Sequence, residues 1–199
     1  MKRNKEILAS LLMILFLGGC TFKDAPPVRT YTLDVGEVAT VTASAYAHKV
    51  LKVAYPQTLK EKMTNKIPFS YGMGENGVYQ NSEWSNTLPK LLQGSVIASL
   101  QQSGMFKAVL PYGSTVEEDL RLESIIYDFS HHIRGERSYA VVSVQFSLID
   151  TRSGKLIGSK RFSYRENTPT LNAEGYVKAS NRVMHRLVQD LILWLKSRA

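Results

Sequence analysis

The feature that most constrains the fold is a pair of alternating segments in the last third of the chain. Between residues 139 and 149 apolar side chains occupy every second position. After the turn-forming sequence Asp-Thr-Arg-Ser-Gly at 150–154, residues 156–165 return with Phe162 and Tyr164 in step with this alternation. Successive side chains of a strand point to opposite faces of a sheet. Two such segments joined by a short turn therefore predict an antiparallel hairpin with one buried face.

Two further segments have the spacing of amphipathic helices. The first covers residues 88–100, with an N-cap at Asn86 and Pro89 in the first turn, and it ends at Gly104. The second begins at Asn172 and continues to the last residues. Weaker alternation predicts more strands, at residues 31–35, 48–55, 106–110 and 120–129, with two short ones within 58–83. We therefore expect an α+β fold: a largely antiparallel β-sheet with two amphipathic helices packed on one face.

The N-terminus has the three parts of a secretory signal peptide. Lys2, Arg3 and Lys5 precede an apolar run at residues 7–17, and small residues follow it. A membrane-spanning helix needs about 20 apolar residues, so this run is too short to cross a bilayer unaided. Residues 1–19 are therefore expected to be a signal peptide that is removed.

The single cysteine, Cys20, stands where this signal would be cut. One thiol excludes an intramolecular disulfide and a metal site built on several cysteines. The sequence Leu17-Gly18-Gly19-Cys20 resembles the bacterial lipobox, and this resemblance implies that Cys20 is lipidated and begins the mature chain. Since two or more acyl chains hold a protein stably at a bilayer, the modification would be a lasting membrane anchor.

Beyond the anchor, the sequence predicts a short tether and one folded unit. Residues 20–28 include the adjacent prolines Pro26 and Pro27, which favour an extended spacer. Residues 29–199 contain no internal repeat and no boundary, so we expect a single α+β domain there.

No motif in this body points to catalysis, a metal or a cofactor. Residues 72–77 read Gly-Met-Gly-Glu-Asn-Gly, but a dinucleotide site would need a strand before this motif and a helix opening within it, so a glycine-rich turn is expected. The adjacent His131 and His132 would face opposite sides of a strand and could not bind one metal ion. No G-x-S-x-G nucleophile elbow occurs. Removal of residues 1–19 takes away three basic residues and one acidic residue, so the net charge of +8 falls to +6; this modest excess is spread along the chain, and no nucleic-acid partner is expected.

Four aromatic residues, Phe69, Tyr71, Tyr79 and Trp84, gather ahead of the first helix. Large aromatic side chains dominate both protein cores and recognition surfaces. Two interpretations therefore stay open: these residues pack at the helix–sheet junction, or they contact a partner protein.

The chain as a whole resembles the ABC-type transport auxiliary lipoproteins of the PqiC/YmbA type. The resemblance rests on the lipobox, the proline spacer, the opening Tyr31-Thr32-Leu33, the strand at 48–55 and Trp84 ahead of a Leu-rich helix. It implies a non-enzymatic accessory component of an MCE-type ABC transporter that moves phospholipid between the two membranes. The implied partners are an MCE-domain protein with its permease and ATPase, and self-association into a homo-oligomer is a further option.

The implied location is the periplasmic face of the outer membrane, with the acyl chains on Cys20 in the bilayer. Thr21 follows the cysteine, whereas an aspartate there is the usual signal for retention in the inner membrane. Two alternatives are a different envelope-assembly lipoprotein, such as a secretin pilot or an outer-membrane insertion accessory, and a tethered hydrolase with an unfamiliar site. Genes for an ATPase, a permease and an MCE protein beside this one would favour the transport role.

Overall fold

The computed structural model of the chain describes residues 26–58, 63–72 and 74–199. These residues form eight strands and two helices, in the order β1 (Arg29–Tyr31), β2 (Val50–Val53), β3 (Lys66–Ser70), β4 (Asn76–Trp84), α1 (Leu88–Gln102), β5 (Ala108–Pro111), β6 (Leu120–Arg134), β7 (Arg137–Asp150), β8 (Lys155–Asn167) and α2 (Ala173–Lys196). None of the helices in these ranges is long and apolar enough to cross a membrane.

The predicted hairpin of the last third is confirmed. Strands β7 and β8 pair antiparallel from Tyr139↔Asn167 to Asp150↔Lys155, and β7 also pairs antiparallel with β6 along its whole length. The alternating apolar side chains of β7 are all buried, namely Ala140, Val142, Val144, Phe146 and Leu148. The alternation read from the sequence therefore marks the face that meets the core.

The sheet is mixed, and the expectation of a largely antiparallel sheet is wrong. Strand β6 is its centre: β7 lies along one side, while β2 and β3 share the other side and run parallel to β6. The β1–β4 and β2–β5 pairs are parallel too, so four of the seven strand pairings are parallel. Parallel neighbours are joined by crossover connections, and alternation within one strand does not specify which strand lies beside it.

Both helices cover the same face of this sheet. Leu92 of α1 and Leu187 of α2 belong to one buried apolar cluster with Leu51, Leu122 and Phe146 of the sheet. The register places these sheet residues on one side, because Leu122 pairs with Leu148 and alternates with the half-exposed Arg121 and Glu123. Among the residues that the structure describes, no helix covers the opposite side, which we call the open face.

A side-chain cap is present at the start of α2 but not at the start of α1. The N-cap of α2 is Asn172 as predicted, and its side-chain oxygen accepts a hydrogen bond of 2.9 Å from the Gly175 N–H. The N-cap of α1 is Thr87 rather than Asn86, whose side chain instead accepts from the Thr87 N–H at 2.9 Å. Pro89 lies in the first turn, as expected.

Several strand boundaries differ from the sequence prediction, with the largest differences at the ends of β1 and β6. Strand β1 ends at Tyr31, because its partner β4 ends at Trp84, the residue paired with Tyr31. Strand β6 continues past Phe129 to Arg134, because β3 and β7 both pair with its last residues. The ends of a strand are set by its neighbours.

Candidate functional site

The predicted lipobox, Leu17, Gly18, Gly19 and Cys20, lies outside the described residues, so signal cleavage and lipidation stay predictions. The described chain begins at Pro26, which lines a cleft together with Pro27, Tyr79 and Asn172. The N-terminal end of the body therefore lies beside β4 and the start of α2.

Three of the four predicted aromatic residues lie together at the end of the β3–β4 hairpin. The Phe69 ring is 5.2 Å from the Tyr71 ring and 5.0 Å from the Tyr79 ring, measured between centroids. Tyr71 is 56% exposed, whereas Phe69 and Tyr79 are half-buried. Tyr71 can touch a partner or a membrane without any rearrangement.

Trp84 lies in the core and not with this group. It is 1% exposed and packs edge-on against Phe129 and Tyr176, at centroid distances of 6.2 and 6.0 Å. This is the helix–sheet junction that one of the two sequence interpretations describes. Contact between Trp84 and a partner would require the junction to open.

The adjacent histidines face opposite sides of β6, as predicted. His131 is fully buried, stacks on Tyr176 at 5.3 Å and lies with Nδ1 2.7 Å from the Tyr79 hydroxyl. Burial lowers the pKa of His131 to about 4, with a smaller contribution from His132. His131 is therefore neutral near pH 7, while His132 lies on the open face.

The open face carries an ordered array of polar and aromatic side chains. The Arg161 guanidinium lies 4.0 Å from the centroid of the Tyr127 ring and donates from Nε to the Ser143 hydroxyl at 2.8 Å. Ser143 also hydrogen-bonds to Ser163 on β8 at 2.9 Å. Tyr127 is directed outward at a β-bulge, where the register between β6 and β7 shifts. Cation–π contact and the hydrogen bond together hold Arg161 in one orientation.

A second arginine, four residues further along β8, also lies over a tyrosine ring. The Arg165 guanidinium lies 3.6 Å from the centroid of the Tyr139 ring. Within the described ranges neither Arg161 nor Arg165 forms an ion pair, although both are exposed. We call Tyr127, Tyr139, Arg161 and Arg165 the arginine–tyrosine surface. Its fixed, uncompensated guanidinium groups suit carboxylate or phosphate groups of a partner, which they can bind in a bidentate manner.

Beside this surface, a groove of about 530 Å³ runs between β6 and the β3–β4 hairpin. It contains Asp128, Ser130 and His132, which alternate along β6 and therefore point the same way. The Ser130 hydroxyl lies 2.5 Å from Asp128 Oδ1 and 3.0 Å from His132 Nε2. His132 Nε2 also lies 3.1 Å from Asp128 Oδ2.

The geometry of this group differs from that of a serine-hydrolase triad. In such a triad the carboxylate holds one imidazole nitrogen, which leaves the other nitrogen to take the proton of the serine. Here Asp128 and Ser130 both approach Nε2 of His132, and Asp128 also binds the serine directly. In this arrangement the Ser130 hydroxyl donates its hydrogen bond to the Asp128 carboxylate, so His132 does not activate the serine as a nucleophile.

The glycine-rich segment forms a turn, as expected. Gly72, Gly74 and Gly77 lie at or beside the connection between the antiparallel strands β3 and β4, so no helix opens within the motif. Gly74 has a φ of +93°, which favours glycine. The described residues contain no group of three or more His, Cys, Asp or Glu side chains that could hold a metal ion.

The arginine–tyrosine surface and the Asp128 group were missed in the sequence analysis. The sequence signal for the Asp128 group was the alternation of Asp128, Ser130 and His132. It was missed because β6 was predicted to end at Phe129, in the middle of this alternation. The surface itself has no local signal, since Tyr127 and Arg161 belong to strands that do not pair with each other. Only the tertiary structure brings these side chains into contact.

Comparison with known proteins identifies similarity over most of the body. A family model described as ABC-type transport auxiliary lipoprotein component matches residues 31–191. No curated protein matches the sequence.

Solved structures show the same fold at low sequence identity. A DUF330 protein from Xanthomonas campestris superposes with a TM-score of 0.76 at 19% identity, over 85% of this chain and 95% of that one. An uncharacterized protein gives a TM-score of 0.65 at 15% identity, over 85% and 99% of the two chains. A hypothetical protein from Chlamydia trachomatis gives 0.51 at 9% identity, over 76% and 97%.

Proposed function

Since the chain belongs to the ABC-type transport auxiliary lipoprotein family, we propose that it is the lipid-anchored periplasmic accessory component of an MCE-type ABC transporter. In this role it helps to move phospholipid between the two membranes and acts by binding proteins. The family match over residues 31–191 is the observation that carries the proposal. Acyl chains on Cys20 hold the protein at the periplasmic face of the outer membrane.

A binding role fits the chemistry of the open face. The grouping of Ser130 with His132 and Asp128 lacks the geometry that activates a nucleophile. The groove beside it is open and lies next to exposed, immobilised arginines rather than over a buried reactive group. We therefore propose that the protein is not an enzyme.

The arginine–tyrosine surface is the proposed contact with the MCE-domain protein. Arginine and tyrosine are among the residue types that carry much of the energy of protein interfaces, and tyrosine supplies a large contact area at a low cost in conformational entropy. Arg161 is already held by Tyr127 and Ser143, so little further ordering is needed when a partner binds. The complementary partner surface would present carboxylate groups.

Charge reversal at Arg161 tests this contact. We expect Arg161→Glu to weaken binding to the MCE-domain protein about tenfold or more, since the substituted carboxylate would repel an acidic partner surface. The measurement is the Kd for the purified MCE-domain protein, together with cross-linking in cells and identification of the captured permease and ATPase.

Lys160→Glu is the matched control, because Lys160 is the neighbouring exposed residue of β8 and points to the opposite face, over the Phe162 ring. It makes the same charge change outside the proposed contact and should leave the Kd unchanged. If both variants bind as the wild type does, the open face is not the contact. If the wild-type chain captures no MCE protein, the transporter assignment is wrong.

A further inference from the structure

Three connecting segments lie at the end of the sheet that is nearest to the tether. Ser70 at the end of β3 pairs with His132, Arg134 at the end of β6 pairs with Arg137, and the end of β8 pairs with Tyr139. The β3–β4 turn, the β6–β7 turn and the segment between β8 and α2 therefore all lie at this end of the molecule.

The direction of β1 places the tether toward the same end. Strand β1 runs parallel to β4, with Arg29 opposite Ser82, so the chain before Arg29 is directed back along β4 toward Asn76. Pro26 accordingly lies in the cleft beside Tyr79. Arg29 is further held by an ion pair with Glu174 of α2 at 3.5 Å.

The length of the tether limits which end of the body can meet the membrane. Five residues separate Cys20 from Pro26, which allows a span of about 20 Å at full extension. Pro26 lies beside Tyr79 of β4, which the strand pairings place level with about Phe129 of β6. The turn after Arg134 is therefore about 17 Å away along the strand, and the opposite end, at Leu120, is about 30 Å away. The anchor can reach the plane of the first end but not that of the second.

The side chains at this end suit a lipid headgroup region. Tyr71 and Leu171 are 56% and 47% exposed, and Arg134 and Arg137 are exposed beside them. Leu171 is held near Tyr79, whose hydroxyl lies 3.4 Å from its carbonyl oxygen, and Arg134 lies next to Gly72. Tyrosine is enriched at membrane interfaces, and arginine is attracted to anionic headgroups. The β3–β4 turn and the β6–β7 turn each contain one acidic residue, Glu75 and Glu136 respectively.

We propose that this end, defined by Tyr71, Arg134, Arg137 and Leu171 and called the tip surface, rests on the headgroup region of the membrane that holds the Cys20 acyl chains. The inference rests on the proposed lipid anchor. Contact at the tip surface would hold the long axis of the sheet upright on the bilayer. The arginine–tyrosine surface would then face sideways into the periplasm, where a protein that spans the periplasm could contact it.

Fluorescence quenching by brominated lipid tests this orientation on the full lipidated chain. The variant Tyr71→Trp places a reporter on the tip surface, and Tyr112→Trp is its matched control. Tyr112 is 52% exposed and hydrogen-bonds through its N–H to Val53, the residue paired with Leu122 near the other end of β6. The wild-type signal comes from Trp84 and Trp194, which are both buried and serve as the background.

In vesicles of phosphatidylethanolamine and phosphatidylglycerol with brominated acyl chains, we expect about twofold or stronger quenching at position 71 and none above background at position 112. Adding Arg134→Glu and Arg137→Glu to the Tyr71→Trp chain should reduce the quenching. Absence of quenching at 71 in a chain that is bound to the vesicles would overturn this inference and leave the anchor intact. Failure of the lipoprotein to bind vesicles at all would overturn both the proposed anchor and the contact of the tip surface with the membrane.

Discussion

At the scale of single residues, burial of His131 makes the stability of the fold depend on pH. The side chain is fully buried between Tyr176 and Tyr79, and its pKa is lowered from 6.5 to about 4 because burial disfavours the charged form. The unfolded chain takes up a proton below pH 6.5, whereas the folded chain does so only near pH 4. The contribution of His131 to stability is therefore fully present above pH 6.5 and is lost as the pH falls toward 4.

The variant His131→Gln should remove this dependence. For the wild type we expect the free energy of unfolding to fall by up to about 1.4 kcal/mol per pH unit between pH 6.5 and 4, and for the variant we expect a flatter profile. Urea unfolding at several pH values measures the slope. His132→Gln is the control, since His132 is partly exposed on the open face. A slope that survives His131→Gln and disappears with His132→Gln would show that the wrong histidine has been identified.

At the scale of elements, replacing a glycine with alanine is expected to have different effects in the two helices. Gly94 lies on the exposed side of α1, and a Cβ there would meet nothing within 4 Å. Gly175 lies in the first turn of α2, and a Cβ there would overlap the backbone and side chain of Thr170. The Asn172 cap and the Thr170 hydroxyl, which donates to it at 2.7 Å, occupy this space.

Alanine at these two positions should therefore change stability in opposite directions. Gly94→Ala is expected to raise the free energy of unfolding by about 0.5–1 kcal/mol, because alanine restricts the unfolded chain and favours helix. Gly175→Ala is expected to lower it by about 1–3 kcal/mol, because the N-terminal cap must shift. Denaturant titration followed by circular dichroism gives both values. A stabilising Gly175→Ala would contradict the described packing of this helix start.

At the scale of the whole molecule, the proposed lipid anchor makes the location of the protein depend on one residue, Cys20. Each methylene buried in a bilayer contributes about 0.8 kcal/mol, and two acyl chains together give stable attachment. We expect Cys20→Ser to move the protein from the membrane fraction to the soluble fraction or to leave it unprocessed. Thr21→Ser keeps the cysteine and is the control. Cell fractionation and mass spectrometry of the N-terminus are the measurements, and membrane attachment without Cys20 would refute the anchor.

The sequence alone determined the features that depend on near neighbours in the chain. The β7–β8 hairpin, helix α2 with its Asn172 cap and the glycine-rich turn were predicted correctly, since alternation, capping and turn chemistry act over a few residues. The lipobox and its predicted lipidation at Cys20 likewise rest on a contiguous motif. The burial of Trp84 was one of two interpretations that the sequence left open.

The tertiary structure decided which strands are neighbours and which side chains meet. Whether β2 and β3 would run parallel to β6 depends on how crossovers pack across the core, and hydrophobic alternation is the same for either direction. Tyr127 and Arg161 likewise form a surface only because β7 lies between their strands in this register. Alternation determines the face on which a side chain lies, but long-range packing determines what lies beside it.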